Sequence, residues 1–138
     1  MLSVVCPIYN EEKYIGKCIE SILAQDYPKD DFEVLFVDGM SVDKTREIVA
    51  KYAAQYPFIR LIDNPHKIVP YAMNIGIKAA KGDVIMRLDA HAAYAGNYIS
   101  ALVSALENYH ADNVGAVCRT DVLRKTPKSL AIREVLSN

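Results

Sequence analysis

"LSVVCPIYNEEKYIGKCIESILAQ", residues 2–25, changes periodicity once, and that change decides the fold. Its first part, "LSVVCPI" (2–8), is a continuous apolar run with β-branched residues, which predicts a buried strand. Its second part, "EEKYIGKCIESILAQ" (11–25), is helical, with Tyr14, Ile15, Cys18, Ile19, Ile22 and Leu23 on one stripe. The same switch recurs along the chain. "FEVLFVD" (32–38) predicts a strand, and "SVDKTREIVAKYAAQY" (41–56) a helix opened by cap-type residues. "FIRLID" (58–63) is the third strand. In "VPYAMNIGIKAAKG" (69–82), Pro70 suits a first helical turn and Gly82 a helix stop. "DVIMRLD" (83–89), "NYISALVSALENYH" (97–110) and "NVGAVC" (113–118) continue as strand, helix and strand, and a short helix is expected from Lys128 to Leu136. Strand–helix alternation repeated four times predicts an α/β fold: a Rossmann-like, mostly parallel sheet with helices on both faces.

A chain of 138 residues suits a single domain, 1–138, with one core. It is 51% hydrophobic and 24% charged, a globular rather than a disordered profile. The net charge of −1 does not advertise nucleic acid. Arg119, Arg124, Lys125, Lys128 and Arg133 make the last twenty residues locally basic, which reads as a solvated face. No stretch reaches the ~18 apolar residues of a membrane span, and "MLSVVCPIYNEE" lacks the basic start and cleavage site of a signal peptide. Cys6, Cys18 and Cys118 form no C-x-x-C pair and read as reduced core residues of a cytosolic protein.

In open parallel sheets, ligands bind beyond the carboxyl ends of the strands. Four polar clusters stand there: Pro7, Tyr9, Asn10 and Glu11; Asp38; Asp63 and Asn64; Asp89 and His91. A dinucleotide site would need G-x-G-x-x-G in the first turn, where "PIYNEEKYIG" stands instead. A phosphorylatable receiver domain would need acids at the end of the first strand, and "CPIYN" has none. A nucleotidyltransferase would need a glycine-rich, basic loop near the start, which is also missing.

Three segments in this order and spacing, "VVCPIYNEEKYIGKCIESILAQDY", "FVDGMSVDKTREI" and "NIGIKAAKGDVIMRLDAH", resemble the N-terminal, nucleotide-sugar-binding half of family 2 glycosyltransferases, inverting enzymes with the GT-A fold. The resemblance runs from Ser3 to about Cys118. "DGMS" and "DAH" are most similar to the branch that elongates bacterial exopolysaccharides such as succinoglycan.

The resemblance implies that Pro7 and Tyr9 flank the uracil of a UDP-sugar, with the ring of Tyr9 available for stacking, and that Asp38 accepts a hydrogen bond from base or ribose. Asn10 and Glu11 complete the donor-binding set with Asp89. Asp89 matches the first aspartate of the family's Asp-x-Asp motif, which holds the ribose and a divalent metal, Mn or Mg. The sequence departs from the family twice: Gly39 replaces a second aspartate after the second strand, and His91 ends the Asp-x-Asp motif. As a ligand, His91 would add a nitrogen, which suits manganese better than magnesium; its alternative is a hydrogen bond to a phosphate or a metal-bound water. Other residues have plainer readings. Glu11 and Glu12 read as first-turn charges, Asp43 as a residue that caps or lines the first turn of the second helix, Asn74 as structural, His66 and Lys67 as exposed loop residues whose alternative is to face the diphosphate, and His110 as exposed.

Inverting transfer needs a general base. Glu107, Asp112 and Asp121 stand in no motif like the family's, so the base is expected beyond Asn138 and the chain reads as a donor-binding portion, truncated at the C-terminus. The implied activity is transfer of a sugar from a nucleotide sugar to a saccharide or lipid-linked acceptor in polysaccharide biosynthesis. It is placed in the cytosol, at the inner face of the membrane where the full-length protein adds membrane segments. The rival reading is a non-catalytic nucleotide-sugar-binding module.

Overall fold

Strands β1 (Leu2–Ile8), β2 (Phe32–Asp38), β3 (Ile59–Asp63) and β4 (Val84–Arg87) alternate with helices α1 (Ile15–Leu23), α2 (Thr45–Gln55), α3 (Val69–Ala79) and α4 (Tyr98–Asn108). The computed structural model describes residues 1–110. The expected strand 113–118, the terminal helix, the basic tail, Cys118, Asp112 and Asp121 lie outside the described residues. Met1–Ser100 forms one unit and Ala101–Asn138 a second.

The strands are all parallel, in the order β3-β2-β1-β4. Two crossovers step from β1 outward to β3, and the third returns past β1 to β4. Right-handed crossovers therefore put α1 and α2 on one face and α3 on the other. The side chains agree. Val5, Leu35 and Val37 pack with Ala72 of α3. Cys6, one residue out of phase, meets Cys18 of α1; both thiols are buried and free. β1 and β2 are almost fully buried, as strands covered on both faces must be. Burying each of their large apolar side chains is worth about 1.5–3 kcal/mol.

Three details differ from the sequence expectation. Helix α1 starts at Ile15 rather than Glu11, because residues 11–14 form a turn, in which the N–H groups of Glu11 and Glu12 bond Thr45 and Asp43 and that of Tyr14 bonds the Glu11 carbonyl. Gly82 is not the helix stop, since α3 ends at Ala79. A Cβ at Gly82 would lie 2.6 Å from the Met1 carbonyl oxygen and 2.7 Å from Ser3 Oγ, so close approach to β1 is what requires glycine there. Strand β4 is not buried on both sides. Among the described residues it is an edge strand whose side chains alternate in exposure.

At the amino ends of the strands a closed network pins this arrangement. Ser3 Oγ donates to Glu33 (2.7 Å) and accepts from the Gly82 N–H (2.8 Å), and the Lys81 N–H donates to Glu33 (2.6 Å).

Candidate functional site

β1 is the topological switch point of the sheet, because the connections on its two sides leave toward opposite faces. A crevice opens there, beyond the carboxyl ends of β1 and β4. Its pocket of ≈ 150 Å³ is lined by Pro7, Ile8, Tyr9, Glu11, Asn64, Lys67, Val69, Ala72, Arg87, Asp89 and His91.

Strand alternation decides which of the strand-end side chains turn toward α3, although Ile8, of the other phase, also borders the pocket. In a strand, side chains two apart share a face. Val5 faces α3, and so do Pro7 and Tyr9 after it. Arg87 pairs in register with Val5 and therefore shares that face, with Asp89 following. Ile8 and Asp38 are register partners of the opposite phase. Asp38 accordingly turns toward α2 and away from the pocket.

Asp38 is fully buried. Its carboxylate accepts from the Ser41 N–H (2.9 Å), from Ser41 Oγ, and from Arg46 Nη1 at 2.7 Å. Arg46 also holds Asp63 at 2.6 Å. The neighbouring loops are stitched in the same way. Asn10 donates its N–H to Ser41 Oγ (2.8 Å) and accepts from the Val42 N–H (2.9 Å). The Glu11 N–H donates to Thr45 Oγ1 (2.8 Å), and the Glu12 N–H to Asp43 (3.3 Å). Asp43 also accepts from the Thr45 N–H at 2.9 Å, so it does serve the start of α2. Partial desolvation works against its charge, but the hydrogen bonds from Thr45 and Glu12 outweigh it and hold its pKa below the ordinary aspartate value.

Three residues on this rim have left-handed backbones without being glycine: Asn10 (φ 49°), Met40 (φ 65°) and Lys67 (φ 68°). Asparagine tolerates that conformation, whereas methionine and lysine there cost about 1–2 kcal/mol each. The bend at Lys67 brings its carbonyl over Gly39. A Cβ at Gly39 would lie 3.0 Å from that carbonyl oxygen and 3.3 Å from the ring of Tyr9. A side chain at Gly39 would therefore require the Lys67 carbonyl or the Tyr9 ring to give by a few tenths of an ångström.

On the open side, Tyr9 is 47% exposed. Asp89 is held by its backbone. Its N–H donates to Tyr94 Oη (2.7 Å), and that hydroxyl returns a bond to the Asp89 carbonyl (3.3 Å). Burial pushes the Tyr94 pKa well up, so its proton stays on. The Asp89 side chain is half-exposed, with Oδ1 facing Arg87 Nε (3.3 Å) and Nη2 (3.2 Å). His91 Nδ1 lies 3.7 Å from Glu11 Oε1, within ion-pair range but too long for a direct hydrogen bond.

The pocket thus unites Pro7, Tyr9, Glu11, Asp89 and His91, while Asn10 and Asp38 stand outside its lining. The sequence reading missed Arg87, although a charge inside the apolar strand "VIMRL" was its signal. It also missed Tyr94, Ser41 and Arg46, whose hydrogen bonds to Asp89, Asp38 and Asp63 follow no motif of spacing. His66 stacks on Tyr71 with ring centroids 4.3 Å apart, and Lys67 reaches the pocket wall.

For a divalent cation, the donor set is chemically suitable: two carboxylates and an imidazole in one crevice. Among the described residues no three such side chains converge into a ready cage. An ion held by Asp89 and His91 would need phosphate oxygens and water to complete its shell, which is how magnesium and manganese commonly bind.

The order of strands and the crevice at the switch point are those of an open, doubly wound α/β sheet, and the solved structures it resembles are glycosyltransferases of the GT-A fold. A family model described as glycosyl transferase family 2 matches residues 3–136, and the chain belongs to that family. Among relatives, it is 42% identical over 93 residues (66% of this chain, 29% of the relative) to a dolichyl N-acetyl-alpha-D-glucosaminyl phosphate 3-beta-D-2,3-diacetamido-2,3-dideoxy-beta-D-glucuronosyltransferase of Methanococcus voltae. It is 33% identical over 119 residues (85% and 36%) to the succinoglycan biosynthesis protein ExoA of Rhizobium meliloti, in line with the exopolysaccharide branch expected from "DGMS" and "DAH". Two solved structures share the fold. TarS 1–349 of S. aureus in complex with UDP has a TM-score of 0.70 at 25% identity, covering 86% of this chain and 38% of that one. A mannosyltransferase of Pyrobaculum calidifontis with GDP-Man and Mn2+ has a TM-score of 0.72 at 30% identity, covering 76% and 32%. The chain spans between 29% and 38% of the length of the first three curated relatives it matches. No helix among the described residues is long and apolar enough to cross a membrane.

Proposed function

We propose that this chain, residues 1–138, is the donor-binding domain of an inverting glycosyltransferase. It takes a UDP-sugar with a divalent cation, Mn or Mg, and serves transfer to a saccharide or lipid-linked acceptor in polysaccharide biosynthesis at the cytosolic face of the membrane. The observation that carries this reading is the crevice at the switch point, with an exposed aromatic ring on one wall and Arg87, Asp89 and His91 at the end of β4. The UDP complex of TarS and the Mn2+ complex of the mannosyltransferase support the same assignment by likeness of fold.

In this reading Tyr9 stacks on the base, a contact worth about 1–3 kcal/mol per base in single-stranded nucleic-acid complexes. Pro7 forms the adjoining wall. Asn10 and Asp38 serve the donor through the turns they hold, Asn10 by fixing the backbone after β1 and Asp38 by anchoring Ser41 and Arg46. Glu11 orients His91. Asp89 and His91 would hold the cation, which supplies Lewis-acid stabilisation of the diphosphate as it leaves. Tyr94 keeps the Asp89 backbone from shifting as its carboxylate changes partner.

The test is a calorimetric titration of the chain with UDP, GDP and ADP, each with and without manganese. UDP should bind best and should gain from the metal. Equal binding of all three would remove the uridine assignment, and no binding of any would remove the donor reading.

A further inference from the structure

We propose that Arg87 guards the cation position and then serves the donor. In the free protein it neutralises Asp89 and disfavours a bare divalent ion. When a nucleoside diphosphate arrives with its cation, the guanidinium turns from Asp89 to the diphosphate. This rests on the donor reading above and extends it to a residue outside the assigned set.

The pocket sets its acids against bases. Its two carboxylates each face a base within the same pocket: Asp89 against Arg87 at 3.2 Å, and Glu11 against His91 at 3.7 Å. Neither carboxylate stands alone for a cation. Guanidinium keeps its proton at any ordinary pH, so a bare metal ion must displace a fixed positive charge to reach Asp89 Oδ1.

The pair is also built to open. Both Arg87 contacts, from Nε and Nη2, fall on the single oxygen Oδ1. Among the described residues, Arg87 Nη1 and Asp89 Oδ2 make no hydrogen bond. The two side chains are 50% and 44% exposed, so the contact is weak and exchangeable. The backbones do not share that freedom. Arg87 lies in register with Val5 on β1, and Tyr94 clamps both backbone groups of Asp89. Rotation of the Arg87 side chain is the cheap motion, and on its strand face it swings within the crevice. A diphosphate offers the planar pair of oxygens that guanidinium binds with two parallel bonds. Lys67 stands on the pocket lining as a further cation for the same ligand.

The experiment compares the chain with its Arg87→Gln and Arg87→Lys variants. Mn2+ alone is titrated first, read by the electron-paramagnetic signal of the free ion. UDP without metal is titrated next, by calorimetry. Arg87→Gln should bind bare Mn2+ about fivefold more tightly, the upper range for an exposed ion pair, and UDP without metal more weakly by a similar factor. Arg87→Lys should restore much of the UDP affinity. Opposite signs for the two ligands are the signature. Loss of both together marks a structural role and overturns the proposal, as does a variant that matches the parent for both while the parent binds UDP. If the parent binds no nucleoside diphosphate at all, the donor reading fails first and this proposal with it.

Discussion

On the β2 side of the rim five polar side chains are tied to one another; on the β1–β4 side the polar groups are half-paired and open. Asp38, Ser41, Asp43, Thr45 and Arg46 bond one another and the backbone of the first turn, and Asp38 has no exposure at all. Tyr9, Arg87, Asp89 and His91 face a crevice, and the ion pairs there are long, 3.2–3.3 Å from Arg87 to one oxygen of Asp89 and 3.7 Å from His91 to Glu11. Both sides look the same in the sequence, as acids and small polar residues after apolar strands. The difference teaches that a strand-end acid is tied into the neighbouring loops or turned to the crevice according to the face its strand phase gives it.

The sharpest way to break this comparison is Asp38→Ala. It takes the acceptor from Ser41 and from Arg46, which is a third exposed and keeps Asp63, and should cost about 1–3 kcal/mol in urea unfolding. If stability holds while UDP affinity collapses, Asp38 belongs to the site and the division between the two sides is wrong. Asp89→Asn should do the reverse. Stability should move by no more than about 0.5 kcal/mol, and the metal dependence of UDP binding should vanish. His91→Ala should weaken that metal dependence less, by about tenfold to a hundredfold. If Asp89→Asn binds UDP and manganese like the parent, "LDAH" is only a polar turn.

Gly39→Asp probes the seam between the two sides. It restores the residue usual in the family, but the Lys67 carbonyl and the Tyr9 ring occupy its space. A loss of about 1 kcal/mol in stability and weaker UDP binding are expected, measured by the same two methods. Gained metal affinity would show that the Lys67 loop yields freely. The smallest effect concerns acid. The folded pKa of Asp43 is depressed, so its contribution is fully present above the ordinary aspartate value, about 3.9. It fades as the pH falls from there through the folded value. Asp43→Ala should be about 1 kcal/mol less stable at pH 7, as for a lost helix cap. That gap should close on acidification, which urea midpoints at a series of pH values would show.

The sequence made the element order readable because two periodicities, 2.0 and 3.6, are local properties of a chain. β1 and β2 fall where their apolar runs end, at Ile8 and Asp38. The start of α1 was misjudged by four residues because its turn is satisfied by Thr45 and Asp43, more than thirty positions away. Gly82 looked like a helix stop because no local signal distinguishes that use from close backbone approach. In the site, Tyr9, Asp89 and His91 were legible as polar groups ending apolar runs. Arg87 showed only as a charge inside an apolar run, and Tyr94 did not show, since its hydroxyl acts by closing a turn onto the backbone of Asp89.

By itself, then, the sequence determined the alternation of strands and helices, the parallel sheet that alternation requires, and the rim on which ligand-binding residues stand. Only the tertiary structure decided how that rim is divided. Parallel register set Ile8 beside Asp38 and Val5 beside Arg87. A single-residue difference in phase then sent Asp38 beneath α2 and Asp89 into the crevice beside α3. That phase is a property of paired strands, fixed by hydrogen bonds between segments far apart in the chain, and no single segment contains it.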